Sequence, residues 1–383
     1  MFTIFQPWYP PAEPAVSVRS MVHSILLRKD NFVDVLKEFL NIEHCVLGNS
    51  GRALLCQLLM ALKRKADLKR NMVLIPGYTC YSVAASVVGA GLEIACYDLD
   101  PSTLSPDMDS VHAMAGENTL AVIGQHLFGI PTPIDELISV AHGVGASLIE
   151  DAAQGLGGIF QDKKLGTIGD FGLFSFGRGK PLPLGGGGAI VGSDEIVESL
   201  ISGPTSSGYL DLARAASSRF LSHKRIYGVL EALPLGLGET VFDPGFLMKP
   251  MSRALQRMGA CSMRALQSLN VHRRATAKIY HEILYDAGES PFRPSNGAVF
   301  TRYPIMAGIN PIPKSLRRLG VRCMYPKAIL DEQSIAPYRA AHNMPTPGAL
   351  RISGRLITLP THGGIDSELA RTIAVGVKDA YSW

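Results

Sequence analysis

Short apolar runs recur through the first half of the chain, and segments with helical spacing lie between them. Apolar residues follow helical spacing over residues 53–65 and 134–145. The alternation of the two patterns is typical of βαβ units and predicts a mostly parallel sheet covered by helices. The apolar runs are VLIP from Val73, EIACYDLD from Glu93, TLAVIGQH from Thr119, SLIED from Ser147, GLFSF from Gly172 and AIVG from Ala189.

The pattern changes near residue 245. A long helical segment is predicted over residues 254–284, followed by two short strand candidates, VFTRYPIM and GVRCMYP, and a final helix over Ser367–Tyr381. The sequence therefore predicts a large α/β domain over residues 1–245, which carries the candidate site described below, and a smaller C-terminal α+β domain over residues 246–383. An irregular connecting segment is predicted over about residues 203–250.

Composition excludes several classes of protein. An apolar fraction of 46% and a charged fraction of 18% are those of a globular protein, and a net charge of +4 over 383 residues does not predict nucleic acid as a partner. The six cysteines form no C-x-x-C pair, so neither a metal site nor a disulfide framework is predicted. The N-terminus lacks a basic start followed by an apolar run, and no apolar run reaches about 18 residues, so we expect a cytoplasmic protein.

Residues 219–246, RFLSHKRIYGVLEALPLGLGETVFDPGF, mix apolar and basic side chains. Such a mixture can form an amphipathic surface for a membrane or a lipid-linked partner. The interpretation that we favour is a connecting segment packed on the body of the protein or on another subunit.

Ligands of open α/β sheets bind beyond the carboxyl ends of the strands, so residues at those ends are candidates for chemistry. In LGNSGRALL, Ser50 and Gly51 lead directly into a helix, whose free N–H groups and dipole can bind an anion, with Arg52 as an added contact. The alternative is an ordinary N-cap by Asn49 or Ser50.

A second candidate is IEDAAQGLGG, in which a carboxylate ends an apolar strand. A carboxylate withdrawn from water needs a cationic or N–H partner. Asp151 would keep the ring nitrogen of a heterocyclic cofactor protonated, and Gln154 would donate to a ring oxygen. The alternative is a carboxylate that caps a turn.

A third candidate is Lys180 in FSFGRGKPLPLGGGG. The stretch is not a phosphate-binding P-loop, because Phe174 occupies the first glycine position and Pro181 replaces the required Ser or Thr. Glycines let a backbone approach a flat ligand closely, and a partly desolvated lysine can attack a carbonyl. The alternative is a solvated surface charge.

Aromatic and imidazole side chains follow two other strands. Tyr78 or Tyr81 in PGYTCYS stacks on a planar ring or fills the core, and His126 faces a ligand or is a structural histidine. Taken together, an anion site, an aromatic turn, a strand-end Asp and a strand-end Lys match the phosphate, ring face, ring nitrogen and aldehyde of pyridoxal 5′-phosphate.

Seven motifs resemble, in order, those of the DegT/DnrJ/EryC1/StrS aminotransferases. The most specific part is EDAAQ followed by FSF-x-x-x-K and GGA. The resemblance implies a fold-type-I pyridoxal phosphate enzyme that transfers an amino group from glutamate or glutamine to a keto sugar, usually nucleotide-linked. It also implies a homodimer, and a role in cell-surface polysaccharide or secondary-metabolite biosynthesis. The motifs are SGRALL, PGYTCYS, DLDPSTLSPD, QHLFGIP, IEDAAQGLGG, GDFGLFSFGRGKPLPLGGGGAIV and RLITLPTHGGI.

The resemblance assigns roles residue by residue. Lys180 would bond the cofactor aldehyde, Asp151 would pair with the pyridinium nitrogen and Gln154 would approach the ring hydroxyl. Ser50, Gly51 and Ser175 would hold the phosphate. Related sugar dehydratases usually have histidine in place of Lys180, which favours amino transfer. The full predicted set, with no metal ligand, is Ser50, Gly51, Arg52, Tyr78, Cys80, Asp151, Gln154, Ser175 and Lys180 for the cofactor, and His126, Tyr325 and His362 for the substrate.

Two departures from the family pattern leave alternatives open. Arg52 stands where members have Thr or a small residue, and Met251 and Ser252 stand near the position expected for an asparagine that reaches the neighbouring subunit. The alternatives are a same-family enzyme acting on a cyclitol or another non-nucleotide ketone, and a family member that has lost turnover and serves in binding or regulation. A nicotinamide dehydrogenase is disfavoured because no G-x-G-x-x-G follows the first strand.

Overall fold

The computed structural model describes residues 7–12, 17–26, 31–201, 203–231, 241–285, 292, 294–308 and 311–381. Residues 232–240, part of the mixed apolar and basic segment, lie outside the described residues. The strands are β1 (His44–Gly48), β2 (Met72–Pro76), β3 (Glu93–Tyr97), β4 (Thr119–Gln125), β5 (Ser147–Asp151), β6 (Ile159–Phe160), β7 (Lys163–Lys164), β8 (Phe171–Ser175), β9 (Gly188–Gly192), β10 (Arg302–Met306) and β11 (Leu356–Pro360). The α-helices are α1 (Val18–Leu26), α2 (Phe32–Leu40), α3 (Gly51–Lys65), α4 (Tyr81–Gly89), α5 (Met108–Met114), α6 (Ile134–Gly143), α7 (Tyr209–Leu221), α8 (Tyr227–Glu231), α9 (Arg253–Leu284), α10 (Lys314–Arg318), α11 (Pro347–Arg355) and α12 (Ser367–Tyr381).

A seven-stranded sheet forms the centre of the molecule, in the order β1-β9-β8-β5-β4-β2-β3. Strands β3, β2, β4, β5 and β8 run parallel, while β9 is antiparallel to β8 and to β1. This arrangement confirms the predicted mostly parallel sheet. Strand β1 was not predicted, because its five residues mix half-buried and buried positions at the edge of the sheet.

Helices cover both faces of the sheet because its strands are apolar on both sides. In β2, Val73 packs in the same core as Leu58 of α3, whereas the next residue, Leu74, packs in the opposite core with Leu137 of α6. Successive side chains of a strand point to opposite faces, which is why a continuous apolar run marks a strand buried on both sides.

The C-terminal part is a small domain, as predicted. Strand β10 pairs antiparallel with β11, and α12 packs along the 32-residue α9. The strand predicted at GVRCMYP is wrong: in the described residues Arg322 forms one isolated bridge with Thr358, and the chain then bends at residues 324–327. The partner of β10 is instead Leu356–Pro360. The boundary between the two domains stays a prediction.

The connecting segment is more regular than predicted, because its described residues include α7 and α8. Its last described part, from residue 241 onward, packs on the body: the Asn49 side chain donates to the carbonyl oxygen of Leu247 at 2.9 Å, and the Asn49 amide donates to that of Lys249 at 2.9 Å. Within residues 219–246, the Lys224 carbonyl oxygen accepts the Trp8 N–H at 2.8 Å and the Asp243 carbonyl oxygen accepts the Arg52 guanidinium at 3.1 Å. These contacts favour packing on the body of the protein, and the interpretation of this stretch as a connecting segment stays a prediction. Over the described residues, no helix has the length and apolar character needed to cross a membrane.

Candidate active site

A pocket open to solvent lies where strands β4, β5 and β8 end and helices α3 and α4 begin. Its position is the one expected for a ligand site in an open α/β sheet. Nine of the predicted site residues line it: Gly51, Arg52, Cys80, His126, Asp151, Gln154, Ser175, Lys180 and Tyr325.

The start of α3 forms one wall of the pocket. The Ser50 hydroxyl accepts the Ala53 N–H at 3.1 Å, so Ser50 is a true N-cap. The N–H groups of Gly51 and Arg52 have no acceptor among the described residues. Ser175 ends β8 beside them: a Cβ added at Gly51 would lie 3.5 Å from the Cβ of Ser175. The helix start is therefore open to an anion, with a hydroxyl close by.

Arg52 connects this wall to the connecting segment. Its guanidinium donates to the carbonyl oxygen of Asp243 at 3.1 Å and lies 4.6 Å from the ring centroid of Phe246. The Arg52 carbonyl also accepts the Ser86 hydroxyl at 2.9 Å. The side chain is thus anchored at the rim of the pocket by contacts within its own chain.

Asp151 is the last residue of β5 and lines the floor of the pocket. Its Oδ1 accepts the Ala153 N–H at 3.0 Å. Removal from water raises the pKa of its carboxyl above the ordinary value, against the opposing charge of Lys180 and the hydrogen bond from Ala153. No cation lies within 4.0 Å of it among the described residues. A protonated ring nitrogen would supply the missing charge, so the site fits a pyridinium group.

Glu150, one residue earlier, points to the opposite face of β5. It accepts the Gly166 N–H at 2.9 Å, the Gly169 N–H at 2.7 Å and a short hydrogen bond from the Ile168 N–H. Burial alone would raise the pKa of Glu150, but these bonds and the one from His126 hold it below the ordinary value. Glu150 is therefore a structural carboxylate.

His126 reaches the pocket wall, yet both of its ring nitrogens are engaged. Nδ1 accepts the Thr132 N–H at 3.1 Å, which places the proton on Nε2, 2.9 Å from Glu150. Both the His126 and Glu150 side chains are fully buried. These bonds favour the structural interpretation of His126, and its predicted contact with substrate stays a prediction.

Gln154 is held between two parts of the chain. Its Oε1 accepts the Thr301 hydroxyl at 2.9 Å, and its Nε2 donates to the Tyr325 hydroxyl at 3.4 Å. The Tyr325 ring packs on Tyr78, with centroids 5.4 Å apart, and the Tyr325 amide donates to the Tyr78 hydroxyl at 3.2 Å. Tyr78 therefore lies behind the pocket wall and does not line the pocket, whereas Cys80 does.

Lys180 lies in the loop between β8 and β9. The preceding Gly179 has φ +77°, a conformation that favours glycine, and the Lys180 amide donates to the Gly177 carbonyl at 3.3 Å. Leu182 is fully buried and anchors the far side of the loop. The Lys180 amine lines the pocket with no hydrogen bond or ion pair to any described residue. Lys180 therefore lines the same pocket as Asp151 with its Nζ free of protein partners among the described residues.

Two buried residues of α9 complete the site, and the sequence patterns did not single them out. Arg273 donates to the carbonyl oxygen of Pro181 at 3.1 Å and to the side chain of Asn270 at 2.7 Å. Asn270 in turn donates to the carbonyl oxygen of Leu156 at 3.0 Å. Helix α9 thus holds the Lys180 loop and the turn after Asp151 together. Two polar residues three apart on the apolar face of a long helix were the available signal.

His362 does not line the pocket that contains Lys180. Its Nε2 is 2.9 Å from the carbonyl oxygen of Pro10 and its Nδ1 accepts the Gly364 N–H at 3.1 Å, which makes Nε2 the donor. The residue lines a second cavity. Its assignment to the substrate stays a prediction.

Comparison with known proteins identifies the family. The family model for the DegT/DnrJ/EryC1/StrS aminotransferases matches residues 26–378, and the chain belongs to that family. This confirms the resemblance predicted from the motifs. Aminotransferases of this family depend on pyridoxal phosphate, which agrees with the predicted cofactor.

Relatives of the chain have different named activities. The chain is 30% identical over 273 residues to an L-glutamine:2-deoxy-scyllo-inosose aminotransferase of Streptomyces kanamyceticus. The matched region covers 70% of this chain and 58% of that protein. It is 29% identical over 164 residues to a GDP-perosamine synthase of Caulobacter vibrioides, covering 43% of each. The chain thus spans less than two thirds of the length of these relatives.

Solved structures share the fold over nearly the whole chain. The structure of DesI in the presence of its TDP-sugar product has a TM-score of 0.74 at 23% identity and covers 98% of this chain and 93% of that one. The aminotransferase PseC of Helicobacter pylori has a TM-score of 0.74 at 18% identity, with 98% and 99% covered. The fold is therefore that of pyridoxal phosphate-dependent sugar aminotransferases.

Proposed function

We propose that the protein is a pyridoxal phosphate-dependent aminotransferase that moves an amino group from glutamate or glutamine to a keto sugar. One observation carries the proposal: the free amine of Lys180 and the Asp151 carboxylate line the same pocket, beside the open N-terminus of α3. A covalent lysine, a ring-nitrogen partner and a phosphate site are the three anchors that this cofactor needs.

The described residues would hold the cofactor at each of its polar groups. Gly51, Arg52 and Ser175 would bind the phosphate, Asp151 the ring nitrogen and Gln154 the ring hydroxyl. Thr301 and Tyr325 fix the amide of Gln154 in advance, so little side-chain entropy is lost when it binds.

Each catalytic task falls to one side chain. When bound, pyridoxal phosphate supplies an electron-withdrawing ring that makes the α-proton of an amino-acid donor removable. The Lys180 side chain would take this proton from the donor's Cα, because it lines the pocket and its Nζ has no hydrogen bond or ion pair to a described residue. Asp151 would keep the ring nitrogen protonated, and the pKa of its carboxyl, raised by burial, shows that this carboxylate lacks a cationic partner in the protein.

We propose that the ketone substrate is a sugar linked to a nucleotide. A GDP-perosamine synthase among the relatives supports a nucleotide-linked sugar, and the 2-deoxy-scyllo-inosose aminotransferases support a cyclitol as the second candidate. The two classes differ in charge, because a nucleotide sugar carries a diphosphate and a cyclitol ketone carries none.

We also propose that the protein acts in the cytoplasm as a homodimer. Large apolar side chains on α7 support a protein partner: Tyr209 is 78% exposed, Leu210 74% and Phe220 67%. Light scattering on the purified protein measures the oligomeric state directly.

The experiment that tests the proposal is the first half-reaction. The protein loaded with pyridoxal phosphate is mixed with glutamine or glutamate, and conversion of the visible absorption band to that of the amine form is followed. Conversion is expected for the wild type and for Lys163→Ala, whose lysine is exposed on a hairpin, and loss of conversion is expected for Lys180→Ala. Failure of the wild type with every amino acid would leave only a binding or regulatory function.

A further inference from the structure

Residues 243–249 bind the chain on both sides of the start of α3, and we call this stretch the clasp. On one side, the Asn49 amide donates to the carbonyl oxygen of Lys249 at 2.9 Å, and the Asn49 Oδ1 accepts the Lys249 N–H at 3.3 Å. On the other side, the Arg52 guanidinium donates to the carbonyl oxygen of Asp243 at 3.1 Å. The clasp therefore brackets the helix start at which the phosphate site is proposed.

The ring of Phe246 anchors the clasp beside α3 and α4. Phe246 is half-buried and packs against the apolar core that includes Cys56 of α3. A Cβ built at Gly89, the last residue of α4, would lie 3.2 Å from the Phe246 Cζ and 3.1 Å from the Cys56 Sγ. The absent side chain at Gly89 thus leaves room for the ring, which fixes this part of the clasp on the body of the protein.

The Arg52 guanidinium lies between Phe246 and the pocket. It is over the Phe246 ring, 4.6 Å from the centroid, and Arg52 lines the pocket that contains Lys180. Within the described ranges, the Asp243 carbonyl oxygen is the acceptor that the guanidinium binds. A guanidinium presents its flat face to an aromatic ring and its five N–H groups around its edge. The contact with Phe246 therefore leaves N–H donors available to an anion in the pocket.

We propose that Phe246 is a positioning residue that holds Arg52 ready for the phosphate of pyridoxal phosphate, and that cofactor binding in turn stabilises the docked clasp. An arginine side chain loses rotamer freedom when it binds, and the Phe246 ring has already restricted it, so the loss on cofactor binding is smaller. Coupling between two equilibria is reciprocal, so the bound phosphate stabilises the contact between Arg52 and the clasp.

This inference rests on the proposed function and deepens it, because it makes residues 243–249 a part of the cofactor site. Arg52 stands where the family pattern has Thr or a small residue. The connection between the clasp and the phosphate is therefore a property of this chain's own residues.

Fluorescence titration of the cofactor-free protein with pyridoxal phosphate measures the effect on affinity. Arg52→Ala should weaken binding about tenfold, and Phe246→Leu, which removes the ring but keeps an apolar side chain, about fivefold. Phe246→Tyr keeps the ring and should stay within twofold of the wild type. The matched control is Phe242→Leu, since Phe242 is also half-buried but packs on Tyr338, with ring centroids 5.9 Å apart. Its affinity should also stay within twofold.

A double variant separates positioning from a general effect on the fold. Because the ring acts through the guanidinium, Phe246→Leu should cause no further loss of affinity when Arg52 is already Ala. A ring that only stabilised the fold would lower the affinity by the same factor with and without Arg52.

Amide hydrogen exchange measures the same coupling from the clasp. Saturation with pyridoxal phosphate should slow exchange at residues 243–249 about threefold or more in the wild type. The same saturation should leave exchange at these residues unchanged in Arg52→Ala.

Four results would overturn the proposal: wild-type affinity in Phe246→Leu, an equal loss in Phe242→Leu, a full fivefold loss in the Arg52→Ala background, or exchange at the clasp that the cofactor does not slow. The donor half-reaction of the wild-type enzyme separates these results from failure of the proposed function. Conversion with glutamine together with any of the four rejects the positioning role alone, whereas a wild-type protein that does not bind pyridoxal phosphate rejects the aminotransferase.

Discussion

The buried guanidinium of Arg273 donates a 3.1 Å hydrogen bond to the carbonyl oxygen of Pro181, the residue that follows Lys180. Through Asn270 the same side chain is connected to the carbonyl oxygen of Leu156, in the turn after Asp151. Helix α9 therefore sets the spacing between the proposed covalent lysine and the proposed ring-nitrogen carboxylate, although it contributes no side chain to the pocket lining.

Replacing Arg273 with Met should destabilise the protein and loosen the Lys180 loop. The buried Pro181 carbonyl and the Asn270 side chain would each lose a donor, which costs about 2 to 3 kcal/mol in the free energy of unfolding. Denaturant unfolding measures this loss. Lys278→Met on an exposed part of α9 is the control and should change the free energy by less than about 0.5 kcal/mol. An equal loss of unfolding free energy in the two variants would show that the hydrogen bonds of Arg273 do not stabilise the fold.

Gly188→Ala should disturb the proposed phosphate site. A Cβ at Gly188 would lie 2.5 Å from the Gly51 nitrogen, so the start of α3 must move, and overpacking of this kind costs about 1 to 3 kcal/mol. Both the free energy of unfolding and the affinity for pyridoxal phosphate should fall. Fluorescence titration with pyridoxal phosphate measures the affinity. Gly186→Ala, whose Cβ would be 3.7 Å from Leu255, is the control from the same glycine run and should bind normally.

Glu150→Gln should destabilise the fold in a pH-dependent way. The folded-state pKa of Glu150 lies below its ordinary value of 4.5, so its stabilising effect is complete above pH 4.5 and is lost as the pH falls through the folded pKa. At neutral pH, loss of the ionised acceptor should cost about 3 kcal/mol. Denaturant unfolding measured from pH 7 down to pH 3 gives the free energy of unfolding of both proteins. The difference between the variant and the wild type should become smaller as the pH falls. A difference that does not depend on pH would contradict an ionised Glu150.

Asp151→Asn should have opposite effects on stability and on function. Burial raises the folded-state pKa of Asp151 above 3.8, so its charge destabilises the cofactor-free fold progressively as the pH rises through 3.8 to the folded pKa. The cofactor-free variant should therefore unfold at a higher temperature than the wild type at pH 7. The loaded variant should transfer amine about 100-fold more slowly, because the ring nitrogen loses its charged partner. A less stable variant with full activity would exclude the assigned role.

The sequence predicted the sheet well because its strands are buried on both faces and read as continuous apolar runs. It also predicted the strand-end residues Asp151, Gln154 and Lys180, whose meeting in one pocket follows from parallel topology. It did not predict that Tyr78 packs behind Tyr325, since local sequence does not tell which side of a turn an aromatic ring takes.

Contacts between distant segments account for the other features of the site that the sequence did not predict. His362 binds the backbone of Pro10 and lines the second cavity, a contact across nearly the whole chain. In the sequence, Arg273 looks like any other charged residue of a helix, because its hydrogen bond to the Pro181 carbonyl oxygen forms only in the folded protein. Pairings of this length depend on tertiary packing, which hydrophobic periodicity does not encode.

Chemical trapping of the bound cofactor tests directly whether Lys180 forms the covalent bond. The protein is loaded with pyridoxal phosphate, reduced with borohydride, digested and mapped by mass spectrometry. We expect a single modified peptide in which Lys180 carries the reduced cofactor, and no modification in Lys180→Ala. Cofactor attached to any other lysine, or a protein that binds pyridoxal phosphate but takes up no label, would contradict it.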